Sequence, residues 1–521
     1  MPLYVIDATV SSLEQRLPKS EVIEYSEGHM LSNPPPPAPI GFYPPTPISV
    51  LIVGTGLAGL TATLECLRKG HTVTVLERNP TVSTAGDMYF MGLSATRFLT
   101  HWPDMAREFD AISLRDAWME TFKHDGTPVI PPARVADRLR DAGLDPDTPP
   151  GTFQMRPLVY QMYVRQVERL GVEIKFGRKV VEYWEDEDGG KAGVVTEAGE
   201  RFEADVVIAA DGVGSKSQKL VGGQVRAMKS GRAMWRAAFP REHLDRNPEI
   251  KEFFGMVKGE TGEQQPIIRT WLGPGTYGMT LTRSDTMIWI LNHDVTGSEK
   301  ESWNHTIEAD EVLENMDKGV GPVPWSSKFK ELIKLTPSNT IVNFELFWRN
   351  PQPKWASPGG RVVNIGDAAH SFLPASGNGA TQAIEDAVSL ATCLQLGFNN
   401  IPNAVRAHVR MRFIRNACAQ KLGFSNAELL QDTDWSKVKL DPRRAQPKLP
   451  SWVWSHDPEA YAYETYYRVI ESIEKGVPFD EDESIPPNYP PGYKYKPWSI
   501  EDIMKDMRNG KTVDLGGGNW D

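Results

Sequence analysis

Three stretches of the chain carry residue types at spacings that can do chemistry. The first is Gly54-Thr55-Gly56-Leu57-Ala58-Gly59, set between an apolar run, Ile48–Val53, and a helix-forming segment, Leu57–Lys69. Gly54 permits a tight turn, Gly56 lets a bound group approach the bare backbone, and Gly59 lets helix and strand pack closely. The helix N-terminus presents unpaired N–H groups and a partial positive charge, which suits phosphate. Glu77 closes the next apolar run, Thr72–Leu76, near the ~20-residue spacing expected of an acid that binds ribose hydroxyls. Strand, glycine turn, helix, strand and acid together point to a dinucleotide.

The second stretch is Val206-Val207-Ile208-Ala209-Ala210-Asp211-Gly212, a buried strand ending in Asp-Gly. The third runs from Gly366-Asp367-Ala368-Ala369-His370 through Pro374 and Gly377-Asn378-Gly379-Ala380 to Glu385-Asp386-Ala387. Asp367 can accept hydrogen bonds from ribose or ribityl hydroxyls. A helix starting near Gly379 would set its positive end against an anionic ring. His370 reads as a packed loop histidine. No Ser/His/Asp arrangement suggests nucleophilic catalysis, and no Cys/His cluster suggests zinc.

The elements that position these residues follow from apolar periodicity. Ile48–Val53, Leu57–Lys69 and Thr72–Leu76 form a βαβ unit; Tyr163–Arg169 reads as helix, Val172–Phe176 as strand, Gly193–Phe202 as a hairpin and Ala204–Ala209 as a buried strand. From about residue 225 the pattern changes to a mostly antiparallel sheet: Ala233–Phe239, Ile267–Leu272, Tyr277–Thr282 and Thr286–His293, then helices Ile307–Lys318 and Lys328–Lys334. A buried strand, Val362–Ile365, and a long helix, Thr381–Leu396, return to the first pattern. The expected organisation is a proline-rich arm (1–47), a nucleotide-binding domain in two parts (48–224 and 345–397), an inserted β-rich substrate domain (225–344) and a C-terminal extension (398–521). The extension opens with a helix, Ala404–Leu422, and becomes aromatic and proline-rich. The arm holds Pro34-Pro35-Pro36-Pro37 and reads as an extended tail laid along the protein's own surface.

Composition narrows the function classes. The 521 residues carry a net charge of −11 without a long basic run, which argues against nucleic-acid binding. Three cysteines, Cys66, Cys393 and Cys418, do not make a disulfide framework and suit a reducing compartment. The N-terminus shows no basic segment followed by an apolar one, so no signal peptide is expected. The most apolar stretch, Ile48–Leu67, is long enough to suggest a membrane span, but its glycine pattern fits the βαβ unit better. A cytoplasmic protein without a transmembrane segment is expected, with a homodimer left open.

Taken in order, these motifs resemble the FAD-dependent group A aromatic hydroxylases, nearest the salicylate-hydroxylase-like and 6-hydroxynicotinate-monooxygenase-like enzymes of fungal secondary metabolism. Trp348-Arg349-Asn350-Pro351-Gln352-Pro353, the Gly366–Ala387 block and Trp454-Ser455-His456-Asp457-Pro458 carry the resemblance, which spans about Ile48 to Tyr467. It implies an α/β fold: a Rossmann-like FAD-binding domain of the p-hydroxybenzoate hydroxylase type, interrupted by the β-rich domain. It implies FAD as cofactor, NAD(P)H and O2 as cosubstrates, and insertion of one oxygen atom into a small molecule, hydroxylation by default, with epoxidation and Baeyer–Villiger insertion open. A flavin-dependent reductase or dehydrogenase of the same fold is the alternative. Gly54, Gly56, Gly59 and Glu77, with Arg78, would hold the ADP half of FAD. Arg156 would reach FAD, and the Val180 backbone would meet the adenine. Asp211 and Gly212 match a motif tied to both FAD and NAD(P)H, Asp367 would bind a ribityl or ribose oxygen, and Pro374, Gly377, Gly379 and Ala380 would lie beside the isoalloxazine.

The chain departs from the family pattern at several positions. Gln218 stands where an arginine is common, Ser94 where an asparagine is common, and Gly86-Asp87-Met88 replaces a Gly-Ala-Gly-like loop. A tyrosine frequent on a later strand corresponds to Leu281 here. That leaves Arg236, in Met234-Trp235-Arg236-Ala237-Ala238-Phe239, as the candidate catalytic residue. Alternation sets Met234, Arg236 and Ala238 on one strand face. A guanidinium there needs a polar partner, and a polar cavity or a substrate oxygen is expected to supply it. Trp235, Tyr277, Met279, Trp289 and Tyr89–Met91 are expected to line the substrate pocket, which suits a sizeable, partly aromatic substrate.

Overall fold

Five short strands rich in valine and isoleucine make one parallel sheet. The computed structural model describes residues 41–521, apart from 83–85, 115–116, 224–226, 260, 296, 298–304 and 479–481. Most of the proline-rich arm, residues 1–40, lies outside the described residues. The sheet runs in the order Val362–Asn364, Val206–Ala209, Ser49–Val53, Thr72–Leu76, Ile174–Lys175. Side chains alternate across it: Val50, Ile52, Val206 and Ile208 pack under the helices Leu57–Arg68 and Gly379–Leu396. Leu51, Val53, Val207 and Ala209 face a three-stranded antiparallel layer. A strand buried on both faces must be apolar throughout, which is why these strands read as continuous apolar runs.

The second sheet has eight strands: Thr306–Ile307, Ile341–Trp348, Met228–Pro240, Thr286–Asp294, Thr276–Thr282, Ile267–Gly273, Trp118–Lys123 and Pro128–Arg134, in that spatial order. It extends beyond the expected 225–344 segment. Two of its strands come from residues 118–134, and another runs on to Trp348. Ile267–Gly273 pairs in parallel with Trp118–Lys123, a connection made through distant sequence. One sheet face carries Trp235, Ala237, Phe239, Trp271 and Trp289 into a core beneath the helices Ala309–Asn315 and Ser327–Lys334. The other carries Met234, Ala238, Tyr277, Leu281 and Ile290.

The extension docks onto the nucleotide-binding domain. Its first helix runs Ile401–Gln431, well past the expected end at Leu422, although Gly423, Ser425 and Asn426 are weak helix formers. A Cβ at Gly423 would lie 2.7 Å from Ser376 Cβ, so glycine there allows the helix to approach the turn at Pro374–Ser376. Ala462, Tyr466 and Val469, from the helix Pro458–Glu474, share a core with Ala387 and Leu394. A buried ionic cluster ties the same helix to the first one: Glu65 binds Arg68 at 2.8 Å, and Glu459 contacts Arg68, Lys69 and His101. At the described end of the arm, Tyr43 N donates to Arg68 O and Thr46 N to Gly70 O, each at 2.8 Å. Among the described residues no helix is long and apolar enough to cross a membrane.

Candidate active site

One cavity of about 1070 Å³ lies between the two sheets. Of the cofactor-binding and catalytic candidates read from the sequence, all but Gly59 line it: Gly54, Gly56, Glu77, Arg78, Arg156, Val180, Asp211, Gly212, Arg236, Asp367, Pro374, Gly377, Gly379 and Ala380. Gly59 sits beneath the floor, where its Cβ would fall 1.9 Å from Gly54 O. Gly54 has φ +99°, and its Cβ would fall 2.5 Å from Ala210 O. Gly56 differs: a Cβ there would meet no protein atom within 4 Å, so this glycine borders open space.

Glu77 is fixed by its neighbours. Its Oε2 accepts from Thr55 N at 3.0 Å and Thr55 Oγ1 at 2.7 Å, and Oε1 accepts from Asn79 N at 2.8 Å. The carboxylate thus braces the glycine turn while facing the cavity. Arg178, Lys179 and Lys216 stand around this end with Arg78. The sequence reading missed these three cations, although Arg178-Lys179 immediately precedes Val180. Asp211 Oδ2 accepts from the Tyr183 hydroxyl at 2.8 Å, while Oδ1 is buried without a hydrogen-bond partner among the described residues. Burial raises its carboxyl above the ordinary value.

At the other end Asp367 lines the cavity with an exposed side chain. Protein surrounds it closely enough that desolvation raises its carboxyl, against the pull of His370 and Arg156. Behind it, His370 Nε2 lies 2.6 Å from Asp386 Oδ2, which also accepts from Gly366 N at 3.0 Å. Arg412 Nε donates to Asp386 Oδ1, and Arg415 Nε to Glu385 Oε2, both at 2.8 Å. Burial alone would raise Glu385, but Arg415 and Arg412 hold it well below the usual carboxylate range. His370 is therefore a packed histidine, and Glu385-Asp386 fixes the loop that presents Asp367. Ser94 joins this cluster by donating to Glu385 Oε1 at 2.7 Å. Gln218 is buried and donates to Ala368 O, a structural contact on the same loop. The helix Gly379–Leu396 aims its N-terminus into the cavity, preceded by Gly377 at φ +61°.

The second sheet closes the far side with Met119, Thr121, Met234, Thr270, Tyr277, Met279 and Ile290. Trp235 and Trp289 do not line the cavity, contrary to expectation. Trp235 stacks on His293 with centroids 3.6 Å apart, and Trp289 Nε1 donates to Thr336 Oγ1, both on the opposite sheet face. Register explains it: Arg236 pairs with Ile290 and Ala237 with Trp289, so the tryptophans share a face with each other and not with Arg236. Tyr89 and Phe90 line the cavity, whereas Met91 is buried among Leu60, Phe98 and Met162. Leu281 is likewise buried in apolar core. Tyr277 is the phenol that faces the cavity from that strand, with burial pushing it up to about 12 against Arg232 and Arg236.

Arg236 faces the cavity, and its partner corrects the sequence expectation. Its Nε donates to Asp87 Oδ2 and its Nη2 to Asp87 Oδ1, each at 2.5 Å. The compensating group is a carboxylate of the chain itself. Asp87 belongs to the departing Gly86-Asp87-Met88 loop, and Asp87 O also accepts from Arg156 N at 2.7 Å. One loop therefore joins the residue at the cofactor end to the residue on the substrate sheet.

The site fits a dinucleotide cofactor: an open glycine face, a helix N-terminus behind it, cations around it, and a buried carboxylate oxygen awaiting a donor. The sequence carries the corresponding signatures. A family model described as an FAD binding domain matches residues 154–400, and a second FAD binding domain model matches 49–130. The FAD-dependent monooxygenase fsr3 of Gibberella fujikuroi is 40% identical over 490 residues, covering 92% of this chain and 90% of that protein. The chain belongs to the FAD-dependent monooxygenases. Another such monooxygenase, mdpD of Emericella nidulans, is 37% identical with 92% of this chain and 91% of that protein covered. The crystal structure of FqzB superimposes with a TM-score of 0.74 at 30% identity, over 89% of this chain and all (100%) of that one. CtdE in complex with FAD and its substrate 4 superimposes with 0.71 at 29% identity, covering 82% of this chain and 100% of that one. Salicylate hydroxylase shares the fold, with a TM-score of 0.58 at 20% identity over 82% of this chain and 98% of its own.

Proposed function

We propose that this monooxygenase uses NAD(P)H and O2 to insert one oxygen atom into a sizeable, partly aromatic substrate of the polyketide or alkaloid type, by hydroxylation. FAD, when bound, supplies the activation of O2. The chain's own residues bind, orient and exclude water. Glu77, the glycine turn and the surrounding cations hold the ADP half; Asp367 and Arg156 hold the ribityl chain. The N-terminus of Gly379–Leu396 stabilises negative charge on the ring. Met234, Met279 and Ile290 keep the reacting region dry. Arg236, with its fork fixed by Asp87, orients a substrate oxygen, and the protonated Tyr277 hydroxyl donates a hydrogen bond to it.

The observation that carries this reading is the placement of the Asp87–Arg236 pair. Arg236 stands on an apolar sheet face, held by Asp87 from a neighbouring loop, and both line the same cavity as Asp367 and Gly379. A polar group so placed serves a ligand between sheet and helix. The test is substrate-stimulated NAD(P)H oxidation by the FAD-loaded enzyme, with O2 uptake followed in parallel. A phenolic substrate should accelerate oxidation with one O2 consumed per NAD(P)H. NAD(P)H consumption without O2 uptake would favour a reductase.

A further inference from the structure

We propose that residues 445–449, a loop of the C-terminal extension, form the specificity-determining wall of the substrate end of the cavity, and that Asn426 is the positioning residue that sets it. The proposal rests on the monooxygenase reading above. Ala445, Gln446, Pro447, Lys448 and Leu449 all line the cavity. Ala445 is buried in the same apolar cluster as Met234, Tyr277 and Ile290 of the substrate sheet. Leu449 packs at the edge of another cluster with Trp452 and Trp520. The loop therefore bridges the sheet that faces the substrate and the aromatic body of the extension.

An irregular loop defines a pocket only if something holds it. Asn426 does so here. This buried side chain donates from Nδ2 to Lys448 O at 3.0 Å and accepts from Lys448 N at 2.8 Å, as a neighbouring strand would. Lys448 Nζ adds an exposed contact to Asp521 at 2.7 Å. Pro447 and Pro450 limit the remaining backbone freedom. Yet Gln446 is half-exposed and Pro447 exposed beside the cavity rather than packed into the extension. A loop serving only to anchor the extension would bury them. The segment also lies beyond residue 400, where the FAD binding domain match ends. Its side chains can change without touching the residues that hold the cofactor, which suits a determinant of substrate size and shape.

The test uses the FAD-loaded enzyme with phenol, 1-naphthol and 1-hydroxyanthracene as probes, their binding read from the change in flavin absorbance. Gln446→Trp fills the wall. It should weaken the two larger probes by about tenfold or more, the scale of a steric change in an apolar pocket, and leave phenol within about threefold. Leu449→Ala should shift preference the opposite way. Asn426→Ala should raise KM for the largest turned-over probe by about fivefold with kcat within about twofold, because the loop moves while the chemistry does not. FAD content should match wild type in all three variants. An unchanged ranking of the probes in Gln446→Trp, or a loss of FAD from that variant, overturns the proposal. Equal falls in kcat and kcat/KM for Asn426→Ala overturn its positioning role. Failure of wild type to bind any probe overturns the aromatic-substrate reading instead.

Discussion

Arg236 and Asp87 meet as a planar fork and its carboxylate, Nε and Nη2 each 2.5 Å from an Asp87 oxygen. The two residues are far apart in sequence and lie on different structural units, one on the substrate sheet and one just before Met88–Gly92. Asp87 belongs to a loop that departs from the family pattern, and the structure pairs it with Arg236. Asp87→Asn should retain FAD but release product less efficiently per NAD(P)H consumed. One lost charge-assisted hydrogen bond is worth about 1.5–3 kcal/mol, roughly ten- to hundredfold where it acts on oxygen transfer. Arg236→Lys should behave similarly, since an ammonium cannot reproduce the fork. The ratio of product to NAD(P)H checks both; wild-type coupling in both variants would reduce the pair to a structural contact.

The glycine turn separates packing from binding. Gly59→Ala puts a Cβ 1.9 Å from Gly54 O and should abolish soluble folded protein, whereas Gly56→Ala meets nothing within 4 Å and should fold. Gly56→Ala should lose FAD affinity, because only a bound pyrophosphate needs that space. Expression, circular dichroism and FAD titration check this, and tight FAD binding by Gly56→Ala would misplace the cofactor.

Asp367→Ala should keep the fold, since the carboxylate faces the cavity and the loop is held by Asp386 and His370. FAD affinity should fall by about ten- to hundredfold. Flavin fluorescence on dilution reads the dissociation constant directly.

Tyr277 should stay protonated throughout the working range, because burial pushes its phenol up to about 12. No inflection from it is expected in a pH–rate profile below about pH 10, the ordinary tyrosine range. Tyr277→Phe should lower kcat/KM by about two- to tenfold, the net worth of one neutral hydrogen bond, with FAD content unchanged.

Acid should destabilise the fold around the helix Leu57–Arg68. Burial opposes ionisation of Glu65, but Arg68 and His101 lower its carboxyl from 4.5 to about 2. Between those values the unfolded chain binds more protons than the folded one, so stability falls as the pH drops through that window. It is fully present above pH 4.5. Glu65→Gln should flatten this acid slope in thermal midpoints; an unchanged slope would assign acid sensitivity elsewhere.

Much of this architecture was legible because cofactor sites of this kind are built on local sequence. Gly54 to Glu77 is one βαβ unit, and Gly366 to Gly379 one loop and helix start, so spacing together with the family resemblance located them. Alternation on Met234–Phe239 likewise placed Arg236 on its face. The same alternation sends Trp235 to the opposite side, which its large apolar ring obscured. What was not legible depended on distant pairing. Asp87 has no local feature that marks it as the partner of Arg236, and Trp118–Lys123 joins the substrate sheet only through pairing with Ile267–Gly273. The 445–449 wall was hidden for the same reason: its meaning comes from Asn426 and from the sheet it packs against.

The most direct test of the account is isotopic. The FAD-loaded enzyme, NAD(P)H and a phenolic substrate that stimulates turnover are incubated under 18O2, and the product is weighed by mass spectrometry. The account predicts a product carrying one 18O atom, with the other atom in water and one O2 consumed per NAD(P)H. A product free of the label, with hydrogen peroxide formed in step with NAD(P)H oxidation, would contradict it.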